Sequence, residues 1–214
     1  SEKRMNILNG MTEEKLTSLK EQGISVNYLL KVPSYDYPEI LSKYSYDPEL
    51  TKVCKAGTME VPKYYFNEYD NTRTGVLFCE YRVLCENFAK KVMMELSLDK
   101  VEEKRILILG TEEFMFPGIF LGNYLEQNST NWCFFHATTR SPILPSLSHN
   151  YPIHHRYCLT SFYEQERGTY VYNLEAYDYV LIVTDTTVET SAMSELCGIL
   201  EEKGCKNIME ILWR

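Results

Sequence analysis

Leu77, Tyr81, Leu84, Phe88 and Val92 recur at helical spacing, with Glu80, Glu86, Lys90 and Lys91 between them. The stretch 76–96 therefore predicts a long amphipathic helix, entered from the turn-forming run Asp70-Asn71-Thr72-Arg73-Thr74-Gly75. Downstream the pattern changes. Arg105-Ile106-Leu107-Ile108-Leu109-Gly110 is a short uninterrupted apolar run ending in glycine, as expected of a strand buried on both faces. Pro117 opens a second helix, with Phe116, Phe120, Tyr124, Leu121 and Leu125 expected on its inner side. Trp132-Cys133-Phe134-Phe135-His136-Ala137 reads as a second strand and Tyr179-Val180-Leu181-Ile182-Val183 as a third. Thr186-x-x-Glu189 has capping-box form, so a helix is expected to start near Thr187 and run through Ala192, Met193, Leu196, Ile199 and Leu200 to Gly204. Asn207 to Leu212 supplies a final strand.

Strands alternating with helices imply an α/β fold: three layers, a mostly parallel twisted sheet and helices on both faces, of Rossmann-like type. The first 70 residues are harder to place. Thr12 is a candidate cap for a short helix through Leu16 and Leu19 that stops at Gly23. Beyond it, Val32-Pro33, Tyr37-Pro38, Asp47-Pro48 and Val61-Pro62 break the chain too often for long elements. Residues 1–70 are thus expected to form an accessory hood of short helices and loops with at most an edge strand, and residues 71–214 the α/β core.

Composition narrows the partners. The 214 residues carry a formal net charge of −8, which opposes binding to a nucleic-acid backbone. No stretch approaches the roughly 18 apolar residues of a membrane span, and the opening Ser1-Glu2-Lys3-Arg4 lacks an apolar signal core. Seven cysteines form no CxxC pair and no zinc-type spacing, which fits a reducing, cytoplasmic setting. The 17 tyrosines suit half-buried surfaces, pocket walls or an interface.

In parallel α/β sheets, ligands sit beyond the carboxyl ends of the strands, which singles out three loops. The first, Gly110-Thr111-Glu112-Glu113, joins a permissive glycine to two acids that either serve as acid/base groups or favour the following helix dipole. The second, Thr138-Thr139-Arg140-Ser141-Pro142, places a guanidinium among hydroxyls; it is equipped for a phosphate, or for a turn with Arg140 in a structural ion pair. In the third, Thr186, Thr187 and Thr190 are candidate phosphate ligands at a helix start, with Asp185 meeting ribose hydroxyls or a metal; the alternative is capping alone. Between the second and third loops lies a span of roughly 40 residues, long for a simple connection. It holds Arg156 and Arg167, each an anion clamp or a surface charge, and His154-His155, whose adjacency on one backbone argues against a shared metal ion.

The segments Ile108-Leu109-Gly110-Thr111-Glu112-Glu113-Phe114-Met115, Thr139-Arg140-Ser141-Pro142 and Tyr172-Asn173 resemble the TRSP domain over about residues 70–214. That family, named for its Thr-Arg-Ser-Pro motif, accompanies or is fused to a phosphoribosyltransferase domain in bacterial gene clusters linked to tellurium resistance and stress. The stretch from Tyr179 to Leu212 is also similar to the end of a type I phosphoribosyltransferase, where two acids and a glycine-bearing threonine loop hold phosphoribosyl pyrophosphate. By that comparison Thr184 replaces the first acid, Asp185 keeps the second, and Thr190 stands at a glycine position.

The resemblance implies a phosphoribosyltransferase-like enzyme or enzyme subunit acting on a phosphorylated ribose or nucleoside-like metabolite. The alternative is a non-catalytic subunit that partners a separate phosphoribosyltransferase. The expected catalytic residues are Glu112, Glu113 and Asp185. Thr111, Thr139, Arg140, Ser141, Arg156, Asn173, Thr186, Thr187 and Thr190 are expected to hold phosphate or substrate. Magnesium with phosphoribosyl pyrophosphate is the implied cofactor, no resident protein metal site is expected, and the chain is expected to form a homodimer or hetero-oligomer.

Overall fold

A computed structural model describes residues 13–25, 39, 47–68 and 70–214. The chain divides into two compact units, Ser1–Ser45 and Tyr46–Arg214. In the first, α1 (Glu13–Glu21) ends at Gly23, whose φ of +74° lies in the left-handed region where glycine is unstrained. The Gly23 N–H donates to Lys20 O and the Ile24 N–H to Leu19 O, both at 2.9 Å, closing the last turn. Thr12, the expected cap, and the Val32-Pro33 and Tyr37-Pro38 breaks lie outside the described residues.

The second unit contains, in chain order, β1 (Thr51–Val53), β2 (Lys63–Phe66), α2 (Phe78–Glu95), β3 (Arg105–Gly110), α3 (Phe116–Asn128), β4 (Trp132–Ala137), β5 (Arg156–Thr160), β6 (Gly168–Tyr172), β7 (Tyr179–Thr184), α4 (Ala192–Glu202) and β8 (Asn207–Trp213). Five of the strands form an all-parallel sheet in the order β2-β8-β7-β3-β4. At its centre both faces are buried, which is why β3 and β7 read as continuous apolar runs. Ile106, Ile108, Leu181 and Val183 pack with Tyr81, Phe88, Val92, Leu121 and Leu125 of α2 and α3. Leu107, Leu109, Val180 and Ile182 pack instead with Leu196, Ile199 and Leu200 of α4. Each such side chain contributes roughly 1.5–3 kcal/mol by leaving water. Trp213 closes the first core, stacked on Phe88 at 4.5 Å between ring centroids.

The expected three-layer α/β architecture is present, and its second face carries more than a helix. A smaller sheet, β1-β5-β6, packs Tyr157, Leu159 and Val171 into the α4 core. Its β5–β6 hairpin is antiparallel and is tied to the loop after β4 by two reciprocal Thr139–Tyr170 backbone hydrogen bonds of 2.8 Å. Helix α4 approaches residues 55–57 closely enough that a Cβ on Gly198 would meet Lys55 O at 2.0 Å.

Three expectations change. The strands at 51–53 and 63–66 belong to the sheets of this unit, so its described part begins well before the boundary read at residue 70. Phe116 is exposed, because α3 buries the face carrying Gly118, Leu121, Gly122 and Leu125. Finally, α4 starts at Ala192 and not near Thr187. Thr184, Thr186 and Thr190 each accept a backbone N–H two residues ahead, from Thr186, Val188 and Ala192. Such short-range turns compete with helix formation.

Candidate functional site

Gly110 pairs with Ala137 on one side and Val183 on the other, so the three loops leave the sheet side by side. Thr111 is buried at their junction: its N–H donates to Val183 O at 3.2 Å and its hydroxyl to Thr184 Oγ1 at 3.0 Å. Thr138 joins the second loop to the first, donating its N–H to Gly110 O and accepting the Glu112 N–H on Oγ1 at 2.9 Å.

Each expected catalytic acid is held by an arginine. Glu112 adopts a left-handed φ of +49° and is only 4% exposed. It accepts from Arg167 Nη2 at 2.6 Å and from the Ser161 hydroxyl. Arg167 also reaches Ser161 Oγ at 2.9 Å and Glu164 at 3.0 Å. This cluster fastens the turn of the β5–β6 hairpin to the end of β3. The Asp185 carboxylate, almost entirely buried, accepts from Tyr163 Oη at 2.6 Å and pairs with Arg73 Nη1 at 2.6 Å. Tyr163 Oη also lies 3.0 Å from Thr111 Oγ1. Burial, reinforced by the bond to Asp185, pushes the Tyr163 phenol well above its ordinary value. Glu113 is exposed and pairs with Arg140, itself exposed.

The remaining expected ligands separate. Thr139 accepts the Ser141 N–H at 3.2 Å, and Ser141 O accepts the Tyr172 hydroxyl, so the Thr-Arg-Ser-Pro turn is braced by β6. Arg156 is not brought to the strand-end network: it bonds Thr51 Oγ1 at 3.2 Å and lies over the Tyr170 ring. Asn173 is a loop clamp, with Oδ1 accepting the His154 and His155 N–H groups and Nδ2 donating to Pro152 O.

Thr186, Thr187 and Thr190 line an open cleft of about 470 Å³ beside Lys63, Tyr65, Phe162, Glu210 and Arg214. Thr186 and Thr190 spend acceptor capacity on the backbone, which leaves their hydroxyl protons able to donate. Arg140 does not line this cleft. Arg73, Ser161 and Tyr163 at the network, and Lys63, Tyr65, Glu210 and Arg214 at the cleft, were not singled out from sequence. One signal was available: Glu210 is the sole charge within the otherwise apolar run of β8.

The donors at the β7 loop do not fit magnesium. That ion takes oxygen ligands from one or two carboxylates, phosphates and water, whereas Asp185 already accepts from a phenol and a guanidinium. Among the described residues, no group of three or more His, Cys, Asp or Glu residues is placed to hold a metal ion.

Residues 70–200 match the family described as TRSP domain C terminus to PRTase_2. The chain belongs to the TRSP family. No curated protein and no solved structure matches it. The TRSP match covers all three strand-end loops, while Lys63, Tyr65, Glu210 and Arg214 flank it on either side. Among the described residues, no helix is long and apolar enough to cross a membrane.

Proposed function

We propose that this TRSP chain binds a phosphorylated ribose-type metabolite in the cleft beside Thr186–Thr190 and works as the binding or regulatory companion of a phosphoribosyltransferase. The cleft carries the proposal: three threonine hydroxyl side chains and Arg214 line it as donors suited to a phosphate, beside Lys63, which Glu210 holds at 3.0 Å, and Glu189. The companion role draws on the family's description. A non-catalytic role is favoured because Glu112, Glu113 and Asp185 are each paired with an arginine. A second reading, phosphoribosyl transfer by this chain itself, draws on the single acid Asp185 at the end of β7, and requires Arg73 to yield its place to the donor's ribose.

A thermal-shift titration with ribose 5-phosphate, phosphoribosyl pyrophosphate and nucleoside monophosphates, with and without magnesium, tests the cleft. A ligand at a hundred times its Kd stabilises by about 2.7 kcal/mol, or roughly 5–10 °C for a domain of this size. The shift is expected without magnesium and is expected to disappear in Thr187→Ala/Arg214→Ala. No shift with any ligand, or one untouched by that double substitution, refutes the proposal. Product formation from phosphoribosyl pyrophosphate by the isolated chain would favour the catalytic reading instead.

A further inference from the structure

Helices α2 and α3 leave apolar side chains in water where they begin. Leu77, at the N-cap position of α2 with no side-chain capping bond, is 64% exposed, and Phe78 is 67% exposed. At the start of α3, Met115, Phe116 and Ile119 are 42%, 39% and 50% exposed. They form one surface. The Phe78 and Phe116 rings lie 6.0 Å apart between centroids, and Ile119 follows Met115 by one helical turn. Each helix already buries its own stripe, Tyr81-Cys85-Phe88-Val92 in α2 and Leu121-Leu125 in α3, and the five exposed residues lie outside that core. Taking about 200 Å² for a fully exposed large apolar side chain, the five present roughly 500 Å² to water.

A patch of that size on a single chain is often a contact surface. It also matches the apolar share of one side of a standard homodimer interface, roughly 65% of about 800 Å². One further copy of the same surface is therefore enough to cover it. The charges at its border say what kind of surface it meets. Glu80 and Arg82 are exposed in the first turns of α2, and neither forms an ion pair among the described residues. Glu113, two residues before Met115, is joined with Arg140 as a solvated pair. A border of one sign would call for a partner of the opposite sign. A border of both signs is complementary to itself under a two-fold axis, which sets each surface against its own copy.

We propose that the starts of α2 and α3 are the interface of a homodimer, an isologous contact in which Phe78 of each protomer packs on the apolar surface of the other. The interface shares no residue with the ligand cleft. It fastens α2 just after the 72–74 turn from which Arg73 reaches Asp185. Sedimentation velocity of the full chain over about 1–100 µM tests it. The wild type is expected to approach twice its 25.1 kDa mass at the upper end. Phe78→Glu and Ile119→Glu, both at positions already facing water, are each expected to raise the dimer dissociation constant about thirty-fold or more, with an unchanged circular dichroism spectrum. Met94→Glu, also 67% exposed but in the last turn of α2, is expected to leave it unaltered. Hydrogen exchange in residues 77–83 and 115–119 is expected to slow as concentration rises. A wild type that stays monomeric throughout overturns the proposal and leaves the patch to a different protein. Open-ended assemblies, a dimer indifferent to both patch substitutions, or one broken by Met94→Glu overturn it as well. None of these outcomes bears on ligand binding at the cleft.

Discussion

The loops after β3 and β7 leave neighbouring strands at the same edge of the sheet, and each begins with hydroxyls and acids, but they meet different fates. After β3, the chain turns Glu112 inward, where Arg167 and Ser161 of the hairpin close over it. After β7, Asp185 is likewise held, by Tyr163 and Arg73, but the next five residues delay the helix and stay along an open cleft. A charged loop at a strand end is available to a ligand only where no other element has claimed its charges. At β3 the hairpin claims them; beyond Asp185 nothing among the described residues fills the cleft.

The sharpest way to break this contrast is Glu112→Ala. If Glu112 is a clasp, its loss strands Arg167, which is about a third exposed, and removes about 3 kcal/mol of stability, read by urea unfolding. Hydrogen exchange is expected to accelerate in residues 156–172. Unchanged stability with lost ligand binding would make Glu112 a site residue and dissolve the distinction between the loops.

Tyr163 bridges the two loops, and pH reads that bridge. Its folded-state phenol is raised from an ordinary value of 10.0, so the folded form holds its proton where the unfolded chain has lost it. The Tyr163 contribution to stability is therefore complete below pH 10 and falls as pH rises above it, by up to about 1.4 kcal/mol per pH unit for one proton. Buried Cys54, Cys85 and Cys197 and half-buried Cys133, pushed up to about 12 from 9.0, add a loss that begins near pH 9. The Tyr163 contribution is thus the difference in slope above pH 10 between the wild type and Tyr163→Phe; equal slopes would show that the bridge is not closed.

Arg140→Ala tests the exposed end of the β3 loop. The Arg140–Glu113 pair is solvated on both sides, so its removal is expected to cost about 0.5 kcal/mol or less, measured by the same unfolding. At the cleft, Thr187→Ala deletes an exposed hydroxyl and is expected to leave stability unaltered while weakening ribose 5-phosphate binding. Loss of stability there would mean that the β7 loop, like the β3 loop, is internally consumed.

Much of the fold was legible because burial writes itself into local pattern. The runs at 105–110, 132–137, 179–184 and 207–213 are strands covered on one or both faces, and α2 displays its inward stripe. The hairpin was legible in principle: Tyr157 and Leu159 alternate with half-exposed neighbours, as do Thr169 and Val171. Its strands are short and rich in polar aromatics, so the period-2 signal is faint. The capping-box pattern at Thr186–Glu189 misled because a threonine hydroxyl can satisfy an N–H in a turn as readily as at a helix start.

The candidate site divides along the same line. That the loops at Gly110, Ala137 and Thr184 share one edge follows from the alternation of parallel strands with helices, a regularity carried by residues close together in the chain. Which acid is sealed by which arginine does not. Glu112 meets Arg167 across 55 positions and Asp185 meets Arg73 across 112, and the cleft brings Lys63 against Glu210. Apolar periodicity is a sum of local burial preferences and can be read position by position. An ion pair exists only when packing brings two particular side chains within a few ångströms, so the tertiary structure alone decided which charges became clasps and which were left to face the cleft.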